Sequence, residues 1–169
     1  MAASELAPAD DEVAYDQALD KALKLLARRA RSKRELRALL KRMGFADAVV
    51  SRVESRLVEV EVLDDASFAY AATEYYGRNR GESRRAIRSR LAAEQVPDAV
   101  IAEAISELLG EESDLDRALV LATRRARRYG RLDSDVAAGR LARYLAQRGY
   151  DFEVVEEVCR RIFRLTEVE

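Results

Sequence analysis

The sequence predicts an all-α protein built as three tandem three-helix repeats stacked into an elongated, curved array. Three observations predict it. Ala, Leu, Arg and Glu dominate, while two prolines and seven glycines interrupt 169 residues, a composition that favours helix over strand. Apolar residues recur at helical spacing almost throughout from Tyr15 onward. The pattern also repeats without gaps at offsets of 51 and 54 residues: Phe45, Val96 and Tyr150 share one column, Val50, Ile101 and Val155 a second, Val53, Ala104 and Val158 a third, and Leu57, Leu108 and Ile162 a fourth. A fixed period of that length marks stacked helical units, each covering its apolar face with its neighbours. The expected division is a flexible acidic tail at 1–13 and repeats at 14–62, 63–112 and 113–169.

In the first unit, Ala18, Ala22, Leu25 and Leu26 form the stripe of an opening helix. Ser32-Lys33-Arg34-Glu35 then reads as a capping box, with the serine hydroxyl accepting from an early backbone N–H and the glutamate reaching back to the cap residue. Leu36, Leu39, Leu40 and Met43 carry the second helix to Gly44, and Phe45 leads into a third with Val49, Val50, Val53 and Leu57. The second unit repeats the scheme. Asp64-Asp65 suits the start of a helix holding Phe68, Ala72, Tyr75 and Tyr76, whose register places both tyrosines in the core. Asn79-Arg80-Gly81 breaks it, Ile87 and Leu91 mark the next helix, and Val96-Pro97-Asp98 starts the last. The third unit begins near Ser113, stops at Gly130, resumes with Val136, Leu141, Tyr144 and Leu145, and passes Gly149-Tyr150 into a helix with Val154, Val155, Val158 and Ile162.

The net charge of -1 hides strong segregation. Residues 1–20 hold six acids and no base, 21–42 ten bases and one acid, 94–116 eight acids and no base, and 117–131 six bases and no acid. Local patches therefore carry the information that the total cancels. Basic residues gather on the first two helices of each unit, and acids on the third: Glu54, Glu59 and Glu61, then Glu103 and Glu107, then Glu153, Glu156 and Glu157.

Catalytic chemistry has little to stand on. The absence of histidine removes the commonest general base and metal ligand. Cys159 sits beside core position Val158 with nothing nearby to lower its pKa. Asp64-Asp65 offers too few oxygens for a protein-made cation site, and Gly81 and Gly130 are isolated rather than part of a phosphate loop. No enzyme activity, metal or cofactor is expected. Without a signal-peptide pattern or an apolar run of ~20 residues, and with one cysteine, the expected location is the cytoplasm.

Four segments resemble a known family. Leu25-Leu26-Ala27-Arg28-Arg29-Ala30-Arg31-Ser32-Lys33-Arg34-Glu35-Leu36 is similar to the opening motif of the RecX regulatory proteins, and Leu63-Asp64-Asp65-Ala66-Ser67-Phe68-Ala69 to their second signature. Gly81 through Ile87-Arg88 and Leu91 is similar to the third, and Leu145-Ala146-Gln147-Arg148-Gly149-Tyr150 to their C-terminal repeat. The chain departs from the family pattern at Glu61 and Val62, Ser83, and Gln95, where many members have glycine, and at Arg90, where an acid is usual. The resemblance implies a monomeric modulator that binds the RecA–DNA filament and restrains ATP hydrolysis and strand exchange, and so a place in homologous recombination, DNA repair and the SOS response. The alternative is a helical repeat protein that binds single- or double-stranded DNA directly without reading bases.

The candidate contact residues for either partner are the arginine-rich clusters. They are Arg28, Arg29, Arg31, Lys33, Arg34 and Arg37 in the first unit; Arg80, Arg84, Arg85 and Arg88 in the second; and Arg124, Arg125, Arg127 and Arg128 in the third. Arginine suits phosphate and carboxylate alike through its paired donors. Each has a second reading, as a solvated helix face paired with the acidic helices.

Overall fold

The computed structural model describes residues 8–163. Among these, nine α-helices form three triplets and no strand occurs. The first triplet is α1 (Pro8–Leu26), α2 (Lys33–Arg42) and α3 (Asp47–Glu59). The second is α4 (Asp65–Thr73), α5 (Arg84–Ala93) and α6 (Asp98–Leu109), and the third is α7 (Asp114–Ala126), α8 (Ser134–Ala146) and α9 (Phe152–Phe163). Helix α1 starts at Pro8, so residues 8–13 of the expected flexible tail are helical, and residues 1–7 lie outside the described residues. Proline is tolerated at a helix start. Asp11 and Glu12 then fix the first turns to α3 by pairing with Arg52 at 2.8 and 3.0 Å.

Each triplet closes around its own core. Ala18 and Ala22 of α1 face Leu36 and Leu40 of α2 and Val50, Val53 and Leu57 of α3. Ala69 meets Ile87, Leu91, Ile101 and Ala104 in the second, and Ala118 and Ala122 meet Leu141, Leu145, Val155 and Val158 in the third. The small residues on each first helix let the other two approach closely. Leu63, expected to open the second repeat, is buried in the first core instead, and the second repeat starts at Asp64, whose carboxylate accepts from the N–H groups of Ala66 and Ser67 at 3.1 and 2.7 Å. Those backbone bonds favour the charged form and hold its pKa below the ordinary value.

All three second helices end in the same way. Gly44, Gln95 and Gly149 adopt positive φ of 93°, 64° and 80°. The next residues, Phe45, Val96 and Tyr150, donate N–H bonds back to Leu40, Leu91 and Leu145 at 3.3, 3.2 and 3.4 Å, the geometry of a Schellman stop. Glycine takes this conformation without cost and Gln95 does not. Both non-glycine residues at positive φ, Gln95 and Glu61, stand at or within one residue of positions where the resembled family commonly has glycine. Gly130, by contrast, stays right-handed at φ -58°, and α7 ends through a 3₁₀ turn over Arg127–Tyr129.

Two local expectations fail for identifiable reasons. Ser32 caps α2 by accepting from the N–H of Glu35 at 2.9 Å, but the glutamate does not return the bond, because Arg29 and Arg31 take its carboxylate. Tyr75 is 49% exposed rather than buried. A π-helical segment over Glu74–Asn79 shifts the register by one residue after Thr73, so the spacing from Phe68 no longer points Tyr75 inward.

The second and third triplets meet tightly. Buried Ser83 caps α5, donates its hydroxyl to the Gly149 carbonyl at 2.7 Å, and donates its N–H to the Arg148 carbonyl at 3.0 Å. The Tyr150 hydroxyl donates to Gly81 at 3.2 Å. A Cβ at Gly149 would sit 2.6 Å from the Ala86 Cβ. Gly149→Ala is therefore expected to lose about 2 kcal/mol or more of stability in urea titration, through overpacking and the positive φ together. Burial pushes the Tyr150 phenol up to about 12 from 10.0. A raised acid pKa in the fold leaves stability intact below pH 10, and stability is lost as pH rises towards 12. Tyr150→Phe should flatten that alkaline decline in a stability-versus-pH series.

Candidate functional site

The fold sorts the candidate basic residues into those tied up within the chain and those left open. In the first repeat Arg29 and Arg31 converge on Glu35, Lys33 reaches Asp65 of α4 at 2.9 Å, Arg34 donates to the Ala93 carbonyl, and Arg37 binds Glu54 at 2.8 Å. Arg28 is exposed and has no ion pair among the described residues. In the second repeat all four have partners. Arg80 lies 3.6 Å from Glu82 and Arg88 3.5 Å from Asp98. Arg84 donates to the carbonyls of Gly110 and Glu112 at 2.6 and 2.7 Å, and Arg85 bridges to Asp151 at 2.9 Å. Arg85 ties the second repeat to the third, while the Arg84 guanidinium closes the end of its own repeat and its backbone N–H donates to Asp114 of α7 at 3.3 Å.

The third repeat differs. Arg124, Arg127 and Arg128, at the end of α7, are exposed and have no ion pair among the described residues. Arg125 turns inward. Its guanidinium lies 4.7 Å from the Tyr144 ring centre, and its Nε donates to the Tyr129 hydroxyl at 3.0 Å. Arg148 lies 3.7 Å from the same Tyr144 ring, so two guanidinium groups pack on one aromatic side chain of α8 and lock α7 to it. Arg131, Arg140 and Arg143 add open positive charge, again with no ion pair among the described residues. Arg140 stands one turn before Tyr144, on the same stripe of α8. The candidate set omits Arg131, Arg140 and Arg143; for the last two, a spacing of three on a helix whose apolar face is set by Leu141 and Leu145 marks them as outward-facing.

The third repeat therefore carries six exposed arginines with no ion pair among the described residues. Elsewhere most basic side chains are neutralised by neighbouring acids. Open positive charge of this kind is the chemistry that suits a polyanion or an acidic protein surface. Cys159 is buried, and burial pushes its thiol pKa up, away from the reactive thiolate. Among the described residues no three carboxylate or cysteine side chains gather as metal ligands, and no helix is long and apolar enough to cross a membrane.

Known proteins share this architecture. Residues 18–57 match the family described as RecX, first three-helix domain, and residues 111–159 match RecX, third three-helix domain. Regulatory protein RecX of Chlorobaculum tepidum is 32% identical over 152 residues, spanning 90% of this chain and 92% of the relative. The chain belongs to the RecX family of regulatory proteins. The RecX protein of Mycolicibacterium smegmatis is 34% identical over 152 residues, covering 88% of this chain and 81% of its own. The crystal structure of RecX from Lactobacillus salivarius superposes with a TM-score of 0.67 at 16% identity, covering 93% of this chain and 99% of that one, a likeness of fold. The two matched RecX segments fall on the first and third triplets. The family motifs take physical roles: Ser32 is a helix cap, Leu63 a core residue, Asp64 a second cap and Gly149-Tyr150 the helix stop that receives Ser83.

The arginines of the third repeat should separate in a stability assay. Arg125→Ala removes the contacts with Tyr144 and Tyr129 and is expected to cost about 1 kcal/mol. Arg124→Ala, at an exposed position, should change the urea midpoint little.

Proposed function

We propose that this RecX protein binds the RecA–DNA filament and restrains ATP hydrolysis and strand exchange, catalysing no reaction of its own and acting in the cytoplasm as a monomer. The observation that supports it best is the set of open arginines on the third repeat, Arg124, Arg127, Arg128, Arg131, Arg140 and Arg143, carried on a scaffold of the RecX family. A nucleoprotein filament presents both phosphate and protein carboxylate, and guanidinium groups engage either. Arg28 on the first repeat would extend the contact. The partnered residues, Arg84 and Arg85 above all, contribute by holding the array in shape. Acidic third helices such as α6, with Glu103 and Glu107, favour a wedge between protein and DNA over a pure DNA binder, which gains nothing from a negative face.

The test is RecA ATPase on single-stranded DNA with increasing amounts of this protein across a salt series. Inhibition is expected, and six neutralised phosphates would give a log–log salt slope of roughly -4 to -5, whereas contacts to carboxylates alone would give a shallower one. Reversing Arg124, Arg127 and Arg128 to Glu should raise the half-inhibitory concentration at least about tenfold with helicity unchanged, about 1.4 kcal/mol or more of binding. Unchanged recombinase rates at excess protein would overturn the proposal. A gel shift on DNA without RecA, as tight as with it, would favour the direct DNA-binding reading.

A further inference from the structure

The two junctions between repeats use equivalent elements and differ in construction. At each, the first residues of a second helix press into the helix–helix corner of the next repeat. Ser32 corresponds to Ser83, Ala30 to Gly81, and Gln95 to Gly149. At the second junction both close approaches need glycine, since a Cβ at Gly81 would lie 2.7 Å from Leu121 and one at Gly149 2.6 Å from Ala86. The first junction has side chains at both positions, Ala30 and Gln95. The second is crossed by a backbone–backbone hydrogen bond, Ser83 to Arg148 at 3.0 Å. Among the described residues, no backbone–backbone bond crosses the first.

Three side-chain contacts tie the first junction. The Ser32 hydroxyl donates to Glu94 at 2.6 Å, Lys33 pairs with Asp65 at 2.9 Å, and Arg34 donates to the Ala93 carbonyl. Part-exposed ionic contacts of this kind are weak and screened by salt. Hollows flank the junction on several sides. One, of about 820 Å³, separates Arg29 from Phe68, Tyr75, Tyr76, Arg90 and Leu91. Two others, of about 600 and 190 Å³, adjoin Lys33 and Asp65. The covalent link is short and has a definite break. Leu63 is anchored in the first core, while Asp64 caps the first helix of the second repeat.

We infer that the second and third repeats move as one rigid body, and that the first repeat swings on it about the Leu63–Asp64 link, opening and closing the 820 Å³ cleft. The inference rests on the junctions alone and stands whether or not the partner is RecA. Swinging changes the distance between Arg29 on one wall and Tyr75 on the other, so the cleft is a surface of adjustable width. The open arginines of the third repeat lie beyond the tighter junction and keep their arrangement throughout.

Pairs of spin labels test this in the full chain with Cys159→Ser. Ser51, Ala102 and Glu156 are exposed and occupy equivalent positions on the three third helices. Distance distributions are measured for the Ser51–Ala102 and Ala102–Glu156 pairs at low and high salt. The first is expected to be at least about twice as broad as the second and to broaden further in high salt, where the Debye length falls to about 3 Å at 1 M. Lys33→Ala with Glu94→Ala, which spares both cap and core, should broaden the first in low salt and leave the second unchanged. The Ala102–Glu156 width also reports that each variant remains folded. Equal widths for the two pairs, or a first distribution insensitive to both salt and the double substitution, would overturn the hinge.

Discussion

The N-terminus of each second helix is the point on which the array depends. A helix leaves its first N–H groups unsatisfied, and Ser32 and Ser83 answer that need by accepting from Glu35 and Ala86. The same hydroxyls still have a proton to give. Ser32 gives it to Glu94 and Ser83 to Gly149, each in the following repeat. One side chain thus ends a local problem and begins a tertiary contact. Both serines are fully buried, so leaving either bond unmade would cost the full desolvation of a hydroxyl. A unit of about fifty residues buries little apolar surface alone, and these joints are where neighbours are fastened.

That arrangement decides what happens to the charge. The residues next to the capping serines, Lys33, Arg34, Arg84 and Arg85, lie at the joints and find carboxylates or carbonyls there. Lys33, Arg34 and Arg85 thereby bridge neighbouring repeats, and Arg84 closes the end of its own. The third repeat is built differently at the equivalent place. Its second helix begins after Asp133, which caps by accepting from the N–H of Asp135, and Arg124 of α7 and Arg140 and Arg143 of α8 remain open. Most of the open candidate arginines therefore lie on the third repeat, whereas the joint residues of the first two are occupied.

The glycines reveal how unequal the joints are. Gly81 and Gly149 permit contact at the second joint that no side chain could share. Ala30 and Gln95 occupy the matching places at the first, and Gln95 holds a left-handed conformation that glycine would adopt more easily. Stacked repeats contact only their neighbours, so stiffness is set joint by joint. One tight and one loose joint give this RecX protein a rigid two-repeat body and a looser first repeat.

By itself the sequence determined the helical class, the threefold repeat, the caps at Ser32 and Asp64 and the glycine stops at Gly44 and Gly149, because each follows from spacing or from one residue's backbone chemistry. The family followed from motifs made of those same signals. The early start of α1 was hidden because its acids look like a solvated tail until Arg52, forty residues on, is seen to hold them. The exposure of Tyr75 was hidden because a single π-helical turn breaks a helical count that is otherwise reliable. The candidate arginines were visible as clusters, but which were open was not. Arg84 and Arg124 look alike in a charge count, and only the fold gives one three carbonyls and leaves the other in solvent. Local structure depends on residues within a turn or two, whereas the availability of a charge depends on what the chain brings to it from thirty residues away.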